Sequence, residues 1–155
     1  MSKPDYIGGW ERTPVYSDPP VSVPRRAGPI TVFSRRLTLA QAANANLFPL
    51  VPGFHCHIIA AFCLVEEVTT DADADATIQP RVDGVDLTGG LITLADTAAA
   101  ATASVVTLDK PIVGTQITVG SHVGPQDEIR LNYAVTNAFA DGVVKVIIVV
   151  EASQN

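Results

Sequence analysis

The chain has 155 residues and 47% hydrophobic content, enough for one domain with a real core, yet only 17% of it is charged, against about 25% in ordinary soluble domains. The net charge of −6 is unevenly spread: residues 1–36 hold six basic and three acidic side chains, and residues 37–155 hold four and thirteen. An acidic body repels nucleic acid, and no apolar run approaches the ~20 residues of a membrane helix, so neither nucleic acid nor membrane is expected as a partner. The N-terminus shows no charged leader followed by an apolar stretch, which predicts synthesis in the cytoplasm without a secretory signal.

Residues 1–29 carry six of the 11 prolines, which remove backbone donors and favour extended chain over helix or central strand. A passive linker would be rich in Gly and Ser. This stretch instead holds Tyr6, Trp10, Arg12, Tyr16, Arg25 and Arg26, and Trp, Tyr and Arg are the usual anchors of protein interfaces. It reads as an extended docking arm whose partner-binding residues are those six. A proline-stiffened arm also loses less entropy when it docks.

From Ile30 the character changes, and residues 30–155 read as one β domain. "ITVFSRRLTL" alternates Val32, Ser34 and Arg36 against Phe33, Arg35 and Leu37 and is the first predicted strand. "LAQAANANL", around Ala40–Leu47, is a short helical candidate. The Pro52–Val68 run is β-branched and aromatic behind a Pro-Gly turn, which favours one long strand. On a continuous strand Cys56 and Cys63, seven positions apart, face opposite sides and stand ~23 Å from each other. That is beyond disulfide reach, so two buried free thiols are expected.

Asp83-Gly84 between "ATIQPRV" and "VDLTGG" is a hairpin signal, and Gly89-Gly90 closes a second turn. "DTAAAATA" at Asp96–Ala103 is either helix or loop, and Ala101–Leu108 and Ile112–Gly120 read as strands. In "GPQDEIRLNYAVTN", Ile129, Leu131, Tyr133 and Val135 share one face, with Arg130, Asn132 and Ala134 on the other. "GVVKVIIVVEA" is apolar almost throughout, which predicts a central strand or one at an oligomer interface. Seven to nine strands with turn chemistry between them predict an all-β sandwich or barrel.

Chemistry-bearing motifs are few. Asp71, Asp73 and Asp75 match the first spacings of a calcium loop, but Ala76 stands where its sharp-turn glycine belongs and Val82 where its bidentate glutamate belongs. The stretch reads as a solvated acidic loop. His55 and His57 share one strand face at a spacing that serves zinc or copper. Cys56 points away and His122 is distant in sequence, so the pair reads as structural. No metal and no cofactor is expected. Ser121, His122 and Asp127 contain the letters of a triad within a single loop, whereas triad members converge from separated segments. With no nucleophile elbow, P-loop, dinucleotide fingerprint or C-x-x-C, the chain is not expected to be an enzyme.

The stretch Phe54–Val150 resembles small structural proteins of tailed-bacteriophage virions, the head decoration or cement proteins and related fibre-base modules. "ATIQPRVDGVDLTGG" and "VGPQDEIRLNYAVTNAFADGVVKVIIVVE" carry the likeness, which is one of pattern. The resemblance implies a jelly-roll-like β-sandwich of about eight strands with an extended N-terminal arm. It implies a homotrimer bound to the major capsid protein on the outer surface of the virion, bracing the shell. A fibre-base or tail module that binds carbohydrate is the alternative, with Tyr133 and Phe139 as its aromatic candidates outside the arm and the long apolar strand.

Overall fold

A computed structural model describes residues 28–71, 73–95 and 111–153, and these residues are all strand, turn and loop. Ten strands are seen among them: β1 (Ile30–Thr38), β2 (Asn44–Leu50), β3 (Cys56–Glu67), β4 (Asp75–Val82), β5 (Val85–Asp86), β6 (Ile92–Ala95), β7 (Ile112–Val113), β8 (His122–Val123), β9 (Ile129–Asn137) and β10 (Val143–Ala152). They form two antiparallel sheets. The first runs β1-β10-β3-β7, with β8 also on β3; the second runs β2-β9-β4-β5, with β6 also on β4. The fold is an all-β sandwich.

Period-two patterning builds the core between the sheets. Leu37, Val144, Val146, Ile148, Val150, Cys56, Ile58, Cys63 and Val65 point inward from the first sheet. Ala76, Ile78, Ile92, Leu94, Ile129, Leu131 and Tyr133 meet them from the second. Tyr133 is fully buried, and its hydroxyl donates to the Leu39 carbonyl at 2.6 Å. That bond satisfies the polar tip of a side chain otherwise surrounded by apolar neighbours. It also ties the second sheet to the corner that leaves β1.

The Asp83-Gly84 hairpin forms as the dipeptide predicts. Both residues take positive φ, 49° and 83°, as the favoured two-residue turn requires. Three expectations are corrected. Ala40–Leu47 is not helical: the chain turns at Thr38–Gln41 and enters β2, where Asn46 N–H donates to the Asn44 side chain at 2.7 Å. Pairing with β9 prevails over alanine's helix preference. Two register shifts in β2, with Phe48 at φ 54°, let this edge strand accommodate Pro49.

Ile112–Gly120 is not one strand. It leaves β3 after Val113, where Gly114 N–H donates to the Ala61 carbonyl, and crosses to the second sheet's turn through Thr115 and Thr118. Finally, Cys56 and Cys63 do not face opposite sides. Val149 pairs with Ala60 and Val150 with Ile58, so Ile59 is an extra residue. This β-bulge reverses the side-chain parity of the strand. Both thiols therefore point into the same core, free and buried. Burial pushes both up, Cys63 to about 12.

Ala101–Leu108 and Asp96–Ala103 lie outside the described residues, as do Tyr6, Trp10, Arg12, Tyr16, Arg25 and Arg26. The described chain begins at Gly28, which packs so closely on β10 that a Cβ would stand 1.9 Å from the Ala152 carbonyl oxygen. Pro29 O then accepts from Ala152 N at 3.0 Å.

Candidate functional site

The outward face of the first sheet is the candidate interface. Its strands present side chains in rows set by the register. One row is Val32–Val149–Ala60, and the next is Ser34–Ile147–Phe62–Val113. Leu64 and Ile59 extend the band along β3. Val32 is 59% exposed, Val113 67%, Ile59 43% and Leu64 37%. β10 is thus apolar on both sides: its even residues fill the core, and its odd residues Ile147 and Val149 lie in this outer band.

Charge closes one end of the band. Arg36 pairs with Glu66 and Glu67, and Lys145 Nζ lies 3.2 Å from Glu66. The Lys145 hydrogen bond, with Arg36 adding to it, holds the Glu66 carboxyl below the usual carboxylate range. Glu66 reaches both cations because it is the extra residue of a second β3 bulge, between the pairs Val143↔Glu67 and Val144↔Val65. The opposite end is the row Ile30–Glu151–His57–His122.

The acidic loop does different work. Asp71 accepts from the Thr69 hydroxyl and from Ala140 N–H. Asp141 accepts from the backbone and hydroxyl of Thr70, both at 2.7 Å. Those bonds, the Thr70 hydroxyl first, lower the Asp141 carboxyl below its ordinary range. The two aspartates tie the chain after β3 to the turn before β10, a link that no local sequence signal reveals.

Among the triad letters, Asp127 accepts from Gly124 N–H at 2.7 Å within its own turn. Ser121 Oγ lies 3.4 Å from Nδ1 of His57, not of its neighbour His122. Tyr133 and Phe139 are buried, so neither offers a sugar-stacking surface. An apolar cleft of about 160 Å³ opens between β1 and β2, lined by Phe33, Phe48, Leu50 and Ile148 among others, with Arg35 6.0 Å from the Phe48 ring.

Comparison with protein families, curated proteins and solved structures found no match to this chain.

Proposed function

We propose that this protein is a non-enzymatic decoration, or cement, protein of a tailed-bacteriophage head. In this reading it sits on the capsid surface as a homotrimer and stabilises the shell. The outer face of the first sheet packs against copies of the same chain, and residues 1–29 reach the major capsid protein. The observation that carries the reading is the exposed apolar band on that face, because large exposed apolar patches mark interaction sites. A strand order of β1-β10-β3-β7 opposite β2-β9-β4, with both β5 and β6 on β4, supports a jelly-roll-like wrapping, an architecture frequent among capsid proteins. In a closed trimer the contacts are head-to-tail, so each subunit hides two mutually complementary surfaces when the ring closes.

The test is the native mass of the full chain and of a chain trimmed to residues 28–155, which keeps the Gly28–Ala152 contact. Both are then assayed for sedimentation with phage heads lacking the protein. Trimers in both cases, with head binding only by the full chain, are the expected outcome. Equal head binding by the trimmed chain refutes the docking arm, and a monomeric full chain refutes the subunit contact.

A further inference from the structure

His55 and His57 lack only a third ligand on the sequence, and the fold supplies it. β8 pairs antiparallel with β3 so that His57 and His122 are direct cross-strand partners, while Cys56 and Val123 beside them turn into the core. His55 precedes His57 by two residues, and the ring centroids of His55 and His122 are 5.6 Å apart. Those of His57 and His122 are 5.3 Å apart. These three are all the histidines of the chain, brought from two separate segments to one rim of the sandwich.

We infer that His55, His57 and His122 form a binding site for a divalent, imidazole-preferring transition-metal ion such as Zn²⁺. Three observations support this beyond proximity. His55 Nδ1 is buried and has no hydrogen-bond partner among the described residues, and an orphaned buried nitrogen calls for a ligand. His57 Nδ1 faces the Ser121 hydroxyl at 3.4 Å. A hydrogen bond to one ring nitrogen leaves the other, Nε2, as the coordinating atom, the usual outer-shell arrangement of a metal-bound histidine. Glu151 is the register partner of His57 on β10 and places a carboxylate position in the same row.

The rings stack and meet edge to face, and no three donors of the described residues converge on one point. Assembly of the site therefore requires side-chain rotation about a fixed backbone. Exposed His122 is the ring with room to swing. Three imidazoles leave the fourth tetrahedral position to water or Glu151, and the donor set favours Zn²⁺, Ni²⁺ or Cu²⁺ over Mg²⁺ or Ca²⁺.

The site lies at the end of the apolar band but rests on different chemistry, so it stands or falls independently of the capsid reading. The test is calorimetric titration of the untagged full chain with Zn²⁺, with Mg²⁺ as control, and the visible absorption of the Co²⁺ form as a direct reading of coordination. One Zn²⁺ per chain is expected. His122→Ala and His122→Asn should each lower affinity ~100-fold or more, and Ser121→Ala by ~10-fold, since outer-shell changes alone cost ~10–100-fold. Far-UV circular dichroism of the variants in chelator establishes that each is folded. Absence of saturable Zn²⁺ binding by the native chain overturns the inference, as does binding that survives in both folded His122 variants.

Discussion

The two sheets share one core but turn unlike faces outward. On the first, Val32, Val149, Ile147, Phe62 and Val113 stand in adjacent rows. On the second, the corresponding rows are Thr77 between Ala134 and Thr93, Gln79 beside Asn132, and Arg81 opposite Arg130. Like charges placed directly across a ladder are destabilising, and here each is offset locally, Arg81 by Asp86 and Arg130 by Glu128. The second sheet is built to face water, whereas the first carries a surface that water does not favour. Stability explains the inner faces; the proposed subunit contact accounts for the difference between the outer ones.

The strongest way to break this comparison is to place the same charge on each face. Val149→Asp is expected to weaken self-association by ~30-fold or more, as loss of an interface hot spot does, while Thr77→Asp leaves it unchanged. Light scattering over a concentration series reads both, and equal effects would erase the distinction between the faces.

A smaller effect separates the core from either surface. Burial raises the Tyr133 hydroxyl to about 12 from its ordinary value of 10.0. Its contribution is fully present below pH 10 and is lost as pH rises towards 12, because the unfolded chain gives up that proton first. The loss is on the order of 3 kcal/mol at most. Tyr133→Phe should cost about 1–2 kcal/mol at neutral pH through the unpartnered Leu39 carbonyl. It should also flatten the alkaline limb, leaving the fall due to Cys63 and Cys56, whose thiols likewise sit raised from 9.0. Urea unfolding at a series of alkaline pH values measures both changes.

The smallest effect lies at the charged end of the apolar band. Lys145→Gln is expected to move the Glu66 titration upward, towards the ordinary carboxylate range, as followed by NMR. Lowered in the folded state, Glu66 adds stability that is present above the ordinary carboxylate range and lost on acidification. Without Lys145 that acid dependence should shrink. An unmoved Glu66 would mean that Arg36 alone sets its titration.

Much of the fold is legible in short-range pattern. The alternation in Ile30–Thr38 and in Ile129–Val135, the Asp83-Gly84 turn and the doubly apolar Val143–Val150 all appear where the residues place them. What fails is whatever depends on pairing between distant segments. Ile59 is an ordinary strand residue until β10 pairs around it, so no local signal announces the bulge that turns Cys56 and Cys63 to one side. His122 sits 65 positions beyond His57 and becomes its neighbour only through the β3–β8 ladder. Gly114 marks a crossing between sheets, but an isolated glycine in a β-branched run is equally compatible with an uninterrupted strand. β2 is hidden because Ala40–Leu47 has a helix former's composition and an edge strand's environment.

The contact between Gly28 and Ala152 fixes how the sandwich would bear load. β1 begins beside the last residue of β10 and pairs with it through nine consecutive positions without a register shift, while β10 is itself anchored along β3. A pull on residue 28 along the strand axis therefore loads that ladder in shear, with its hydrogen bonds strained together rather than opened one after another. A tether attached at this point would fail abruptly and at high force, the mechanical behaviour of a clamp rather than of a zip.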